Sequence, residues 1–155
     1  MKHSYFSRRL LSVFMAFALG LSVLLAKDFV VVIDAGHGGH DPGSLGRKAK
    51  EKNINLGVAL KLGRLIENNM QGVKVVYTRK KDVYLTLQER ANIANKVQGD
   101  LFISIHTNSL DKKSPNRRKV AGASTWTLGL HRSKENLEVA KRENSVIYLE
   151  NDFSL

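Results

Sequence analysis

The stretch VVIDAGHGGHDPGSLG, residues 31–46, joins an apolar run directly to a loop that contains two histidines and five glycines. The run is uninterrupted and rich in β-branched residues, which is typical of a strand buried on both faces of a sheet. The loop that follows could bind a metal ion, bind a phosphate, or only turn the chain. We therefore start from a sheet whose first strand delivers this loop to its carboxyl end.

The rest of the chain alternates strand and helix patterns. Further apolar runs predict strands over 73–78 and 101–105, beside the first strand at 29–33. Apolar residues at helical spacing predict a helix over 53–69, and a capping box of Thr86 with Glu89 predicts the start of a second. This order predicts an α/β fold: a mostly parallel twisted sheet with helices on both faces, incomplete at the C-terminal end.

Finer features of these elements can also be predicted. We expect one buried apolar stripe on the first helix, formed by Ile54, Val58, Leu62 and Leu65 with Ala59 and Ile66 beside them. Gly72 and Gly99 lie near the helix ends, where a left-handed residue is needed. We also expect a fourth strand over 123–128 and a last helix over about 134–148.

The first 26 residues have the organisation of a secretory signal peptide. Lys2, Arg8 and Arg9 precede an apolar stretch over 10–25, and Ala26 is the expected last residue before cleavage. We predict an exported protein of the periplasm or cell envelope, with one domain over 27–155. Membrane association is expected only if the signal stays uncleaved, and the oligomeric state is left open.

The composition limits the chemistry and the partners. The chain has no cysteine, which excludes disulfides, thiol catalysis and lipoprotein attachment. Three of the 25 lysines and arginines lie in the first 26 residues, so 22 remain against 14 acidic residues, a net charge of +8. Such a charge favours anionic partners, or is simply a solvated basic face. We expect no nucleic acid partner, because no interleaved aromatics or groove-reading helix accompany the charge.

The glycine-rich loop fits a metal better than a phosphate. Its glycines lack the spacing of dinucleotide-binding loops, and no Gly-Lys-Ser/Thr follows. His37 follows the first strand, His106 follows the third, and Glu51 lies where the loop enters the first helix. Because the carboxyl ends of parallel strands meet in one crevice, these side chains can converge. Two imidazoles and one carboxylate form a recurrent ligand set for catalytic zinc.

By spacing alone, simpler interpretations of these residues stay open. His37 can be an ordinary loop residue, His106 a strand-end histidine, and Glu51 a carboxylate that favours the positive end of a helix. His40 could compete for a metal, although its spacing from His37 orients the pair poorly. Asp34 could orient His37 through a hydrogen bond, or cap the loop backbone.

At these residues the sequence resembles the zinc-dependent N-acetylmuramoyl-L-alanine amidases of bacterial cell-wall turnover. The resemblance covers about 29–128, and the segments that carry it occur in the family's order: IDAGHGGHDPG, EKNINL, LQERANIAN and DLFISIHTN. It implies one Zn²⁺ ion held by His37, Glu51 and His106, and peptidoglycan as the substrate. Asn53, Arg90 and Asn108 are weaker candidates for substrate binding, since amides can tie down loops and a helix arginine is often an ion-pair partner.

The resemblance fails near the carboxyl end. The family's general base is a glutamate in a segment usually written Glu-x-Gly-Phe, and no such segment occurs before Leu155. Glu150 is the last glutamate of the chain, but its predicted helical surroundings do not match the Glu-x-Gly-Phe segment. We therefore expect the base to lie beyond Leu155, so that residues 1–155 bind zinc but hydrolyse little.

Three functions are compatible with these features of the sequence. The resemblance implies hydrolysis of the amide between N-acetylmuramic acid and L-alanine. A zinc carboxypeptidase acting on wall peptides would use the same kind of ligand set. A catalytically dead or regulatory wall-binding protein would bind sacculi without cutting them.

Overall fold

A computed structural model describes residues 27–107, 115, 119–127, 141, 143 and 144. The elements follow the order β1 (Phe29–Ala35), α1 (Glu51–Asn69), β2 (Val73–Tyr77), α2 (Leu87–Lys96) and β3 (Leu101–Ile105). The signal peptide predicted over 1–26 lies outside the described residues.

The three strands form one parallel sheet with the order β2-β1-β3. Val31 is in register with Val75 of β2 and with Leu101 of β3. The carboxyl ends of all three strands therefore reach the same edge. The prediction of an α/β fold with a parallel sheet is confirmed.

The central strand β1 alternates between two covered faces. Val31, Ile33 and Ala35 form the core with Ala59 of α1. Asp34 points to the opposite face, where the Arg90 side chain of α2 reaches it. One helix thus covers each face, which explains why the strand reads as a continuous apolar run. Complete burial of a side chain such as Ile33 contributes about 1.5–3 kcal/mol.

Helix α1 packs on the sheet with a face that overlaps only in part with the predicted stripe: Ala59 is in the core, and Leu62 and Ile66 pack against it. Its buried residues recur every four positions: Glu51, Asn55, Ala59 and Gly63, with Lys52 beside them. Ile54, Val58 and Leu65 of the predicted stripe are 40–53% exposed, so their assignment to the core is wrong. The polar contacts of Glu51 and Asn55 fix the rotation of the helix, and the small residues Ala59 and Gly63 allow its close approach to the sheet.

The turns at the helix ends bear out one glycine prediction and overturn the other. Gly72 has a φ of +67°, in the left-handed region, as expected. Gly99 does not adopt a positive φ; Gln98 takes the left-handed position with a φ of 51°. Gly99 instead lies against Val32, where a Cβ atom would meet Cγ2 at 2.7 Å.

Helix α2 begins as the sequence predicts. Thr86 is its N-cap: the Thr86 Oγ1 atom accepts a hydrogen bond from the Glu89 main-chain N–H, and the Thr86 main-chain N–H donates to the Glu89 carboxylate. The predicted capping box is therefore confirmed.

The segment after β3 departs from prediction where it is described. Residues 120–127 are exposed and without regular structure, so the strand expected over 123–128 is wrong for its described part. A strand needs a ladder partner, and no described strand pairs with this segment. The helix expected over 134–148 lies outside the described residues, except that 141 and 143 are helical and 144 forms a turn. None of the described helices is long and apolar enough to cross a membrane.

Candidate metal centre

Three side chains from three segments meet at the carboxyl edge of the sheet. His37 follows β1, Glu51 opens α1, and His106 follows β3. The Glu51 Oε1 atom lies 3.4 Å from His37 Nε2 and 3.4 Å from His106 Nδ1. The two imidazole rings are 4.9 Å apart between centroids and nearly perpendicular. The structure thus brings together the three residues that the sequence singles out.

These distances match the spacing of ligands around one ion. Tetrahedral zinc bonds of about 2.1 Å separate ligand atoms from one another by about 3.4 Å. Moreover, His37 Nε2 and His106 Nδ1 are buried, and their described neighbours are the carboxylates of Glu51 and Glu143, at 2.8–4.0 Å, with no hydrogen bond of regular geometry. Buried ring nitrogens normally have a hydrogen-bond partner, so two ring nitrogens that face carboxylates in this way fit a shared cation.

Glu143 adds a second carboxylate to the group. Its Oε2 atom lies 2.8 Å from His106 Nδ1 and 4.0 Å from His37 Nε2. One ligand atom from each of the four residues lies within 4.8 Å of every other. Three protein ligands leave a fourth zinc position open, whereas a carboxylate as the fourth ligand closes the tetrahedral set.

The loop side of His37 is fixed by Asp41. The Asp41 Oδ2 atom lies 2.8 Å from His37 Nδ1, which leaves Nε2 directed at the cluster. A carboxylate behind a ligand histidine fixes its tautomer and orientation. His37 itself has a φ of 63°, an uncommon conformation for a residue with a side chain, and the Arg90 guanidinium donates to its carbonyl oxygen.

Asp34 does not have the role that we expected. Its carboxylate accepts hydrogen bonds from Thr78 Oγ1, Ser104 Oγ and Arg90 Nη1, at 2.6–2.8 Å. The prediction that Asp34 orients His37, or caps the loop backbone, is therefore wrong. Asp34 instead links β1 to β3, to the residue after β2 and to α2, because its side chain points to the face opposite α1.

Two glycines leave room for the imidazole rings. A Cβ atom on Gly36 would overlap with the His106 ring, and one on Gly43 would lie 2.5 Å from the His37 ring. Gly43 also has a φ of +63°. These contacts explain why the loop is rich in glycine without the spacing of a phosphate-binding loop.

Two buried arginines hold the loop carbonyls. Arg79 donates to the carbonyl oxygens of Ala35, Gly36 and Lys52, and so ties the end of β1 to the first turn of α1. Arg90 donates to the carbonyl oxygens of Ala35 and His37. His37 and Glu51 are thereby held on one rigid frame.

The Glu51 carboxylate is buried and stays ionised. Its Oε2 atom accepts a hydrogen bond from the Ser44 main-chain N–H, and its Oε1 atom accepts one from the Thr107 main-chain N–H. Burial alone would raise the pKa of Glu51, but His106, His37 and these two amides outweigh it and hold the pKa far below its ordinary value.

The two histidines shift in the opposite direction. Burial tends to lower the pKa of His106, yet the Glu143 and Glu51 carboxylates raise it to about 9. For His37, burial again opposes, and Glu51 and Asp41 raise the pKa above its ordinary value. The cluster therefore attracts positive charge, supplied by protons or by a cation.

The other predicted residues either lie apart from this cluster or fall outside the described residues. Asn53 is exposed on the first turn of α1. The Arg90 guanidinium is buried and donates within the protein, so its substrate role stays a prediction. His40 is exposed and packs against the Tyr84 ring at 4.0 Å between centroids. Asn108 and Glu150 lie outside the described residues.

A cavity of about 630 Å³ opens beside this cluster of side chains. His37, His106 and Glu143 are among the residues that line it, together with apolar residues such as Leu87 and Phe102. Cavities of this size accept a small molecule or part of a polymer.

Sequence reasoning missed Asp41, Asn55, Arg79 and Glu143. Asp41 could have been found, because it lies four residues after His37 in a tight loop. The position of Asn55 one turn after Glu51 was also a signal. Arg79 and Glu143 depend on long-range packing and carry no local motif.

The chain is similar to proteins of one known family. The sequence profile of a family described as N-acetylmuramoyl-L-alanine amidase matches residues 31–151. The chain belongs to this family. A protein of the N-acetylmuramoyl-L-alanine amidase family from Buchnera aphidicola subsp. Acyrthosiphon pisum is 37% identical over 126 residues, which are 80% of this chain and 51% of that relative.

Solved structures of N-acetylmuramoyl-L-alanine amidases have a similar fold. The catalytic domain of CwlV from Bacillus (Paenibacillus) polymyxa var. colistinus aligns with a TM-score of 0.50 and 44% identity, over 52% of this chain and 46% of that one. The amidase from Clostridium difficile 630 aligns with a TM-score of 0.53 and 36% identity, over 57% and 47%. The chain spans about half the length of the first of its curated relatives.

Proposed function

We propose that the chain binds one zinc ion through His37, Glu51 and His106, and that the protein hydrolyses the amide between N-acetylmuramic acid and L-alanine in peptidoglycan. The observation that carries the metal site is the pair of 3.4 Å distances from Glu51 Oε1 to the two imidazoles. Two nitrogens and one carboxylate oxygen are the donor set of many catalytic zinc sites. Membership of the amidase family supports the substrate and the bond.

The residues around the metal would each have a defined task. A bound zinc ion would polarise the substrate carbonyl and lower the pKa of water. Asp41 keeps the proton of His37 on Nδ1 and leaves Nε2 as a ligand. The amides of Ser44 and Thr107 keep the Glu51 carboxylate ionised and correctly oriented.

The cavity beside the cluster is where we place the substrate. Its apolar lining residues suit the less polar parts of a stem peptide or lactyl group, and His37 and His106 are among its polar lining residues. We keep Asn53, Arg90 and Asn108 as proposed substrate contacts. Arg90 is the one among them that borders this cavity within the described residues.

The position of Glu143 favours a second candidate. A fourth donor closes the tetrahedral set and is typical of structural zinc sites. Under this alternative the protein is a wall-binding or regulatory protein that uses zinc for stability. Hydrolysis requires a water molecule at this fourth coordination position. Glu143 and a reactive water therefore exclude each other there.

We further propose export through the signal peptide of residues 1–26 to the periplasm or cell envelope. Peptidoglycan is found there, and the net charge of +8 suits its anionic surroundings.

Product analysis on purified peptidoglycan tests the amidase proposal. Zinc-loaded protein is expected to release stem peptides that begin with L-alanine, whereas the His37→Ala variant releases none above background.

The other outcomes separate the alternatives. Loss of a terminal amino acid, with the lactyl amide intact, would identify a carboxypeptidase. Retention on sacculi without any new amine end would support the wall-binding protein. Either result contradicts the amidase proposal.

A further inference from the structure

We propose that Asn55 is the positioning residue that joins the three segments carrying the ligand set, an inference that rests on the zinc site proposed above. Asn55 is fully buried, one helical turn after Glu51 on the same face of α1. A buried amide must satisfy its donors and its acceptor within the protein. Its partners therefore show what it holds in place.

The Asn55 amide touches each ligand-bearing segment. Its Nδ2 atom donates to the Gly36 carbonyl oxygen at 3.3 Å, immediately before His37, and to Glu51 Oε1 at 3.4 Å. Its Oδ1 atom accepts a hydrogen bond from Thr107 Oγ1 at 2.7 Å, immediately after His106. The short bond to Thr107 is the strongest of the three by its distance.

These contacts close into a ring. The Thr107 main-chain N–H donates to Glu51 Oε1 at 2.7 Å, while Thr107 Oγ1 donates to Asn55. Glu51 Oε1 thus receives one bond from each of the other two members. Because Oε1 is the atom nearest both imidazoles, the ring fixes the ligand oxygen relative to the end of β3.

Only an amide fits this position. An apolar side chain would leave Thr107 Oγ1 and the Gly36 carbonyl oxygen without this partner, and a carboxylate would place a second negative charge beside Glu51. Partners behind metal ligands commonly change metal affinity by about 10- to 100-fold when removed. We expect that range for Asn55.

The test uses zinc affinity, measured by competition with a chelator, together with the absorption spectrum of the cobalt-loaded protein. We compare wild type with Asn55→Leu, Thr107→Val and the double variant. Asn69→Ala, an exposed asparagine on the same helix, is the matched control. Thermal unfolding of the metal-free proteins shows which variants fold.

Asn55→Leu and Thr107→Val should each weaken zinc binding by about 10- to 100-fold and alter the cobalt spectrum. The double variant should bind within about twofold of Asn55→Leu, because both changes break one ring. Asn69→Ala should match wild type. Thr107→Val keeps the main-chain N–H to Glu51 and decides the question even where Asn55→Leu does not fold.

Folded variants with wild-type zinc affinity and an unchanged cobalt spectrum would overturn the inference while leaving the amidase proposal intact. A lower unfolding temperature with unchanged metal binding would do the same, since it describes a purely structural asparagine. Absence of zinc binding by wild type would overturn both proposals.

Discussion

Glu51 shows how a buried charge becomes useful. Its carboxylate is 3% exposed, yet two main-chain amides and two imidazoles favour its ionised form. Removing one of these groups would leave a buried charge poorly compensated. The histidines depend on the same carboxylate, so the protonation of each member of the cluster is linked to that of the others.

Glu143 should control the protonation of His106. The Glu143 carboxylate is the group that contributes most to raising the pKa of His106 to about 9. In metal-free protein, Glu143→Gln should therefore lower this pKa toward the ordinary value of about 6.5. A histidine NMR titration measures it, with the exposed Glu67→Gln as the control. An unchanged pKa would contradict the contact between Glu143 and His106.

The convergence of His37, Glu51 and His106 could be predicted because it depends on one rule: parallel strands deliver their carboxyl ends to one edge. The hydrogen-bond partners of these ligands are harder to predict from the sequence than the ligands themselves. Asp34 and Asp41 both lie near His37 in sequence, and strand alternation decides between them. Asp34 faces α2, whereas Asp41 turns back through the loop to His37.

The extent of helix α1 was predicted correctly, and its apolar stripe was predicted only in part, because Ala59, Leu62 and Ile66 pack on the core. Its apolar residues surround much of the helix, so periodicity alone gave the stripe that includes Ile54, Val58 and Leu65. The rest of the contact uses small and polar residues, because Glu51 reaches the two histidines and Gly63 lies against Tyr77. The polar contacts of the site thus turn part of the apolar stripe toward solvent.

Two glycines of α1 give a matched test of that rotation. A Cβ atom on Gly63 would overlap with Tyr77 Oη, whereas one on Gly57 meets nothing within 4 Å. Gly63→Ala should destabilise the protein by about 1–3 kcal/mol through overpacking. Gly57→Ala should stabilise it by about 0.5–1 kcal/mol through helix propensity.

Chemical denaturation of the metal-free variants measures both changes. Equal effects of the two substitutions would mean that α1 does not pack on β2 through Gly63.

For the protein as a whole, the linked charges predict opposite pH dependences with and without zinc. The raised pKa values of His37 and His106 stabilise the folded metal-free protein fully below about pH 6.5. This contribution is lost as the pH rises through the folded values, about 9 for His106. The lowered pKa of Glu51 stabilises the fold above its unfolded value and stays constant across this range.

Zinc competes with the same protons, so its binding should tighten as the pH rises from about 6 to about 9. Thermal unfolding with a chelator should show a decline in Tm over this range. The extra Tm supplied by buffered zinc should increase over the same range. A zinc effect that shrinks with pH would contradict ligation by these imidazoles.

The most direct test of the ligand set is a competitive zinc titration of wild type, His106→Ala and His40→Ala. His40 lies in the same loop region as His37 but packs on Tyr84, so it is the matched histidine control. We predict one zinc per chain, wild-type affinity for His40→Ala, and a loss for His106→Ala beyond the roughly 10- to 100-fold expected of an outer partner. Undiminished zinc binding by His106→Ala, or an equal loss for His40→Ala, would contradict the proposed centre.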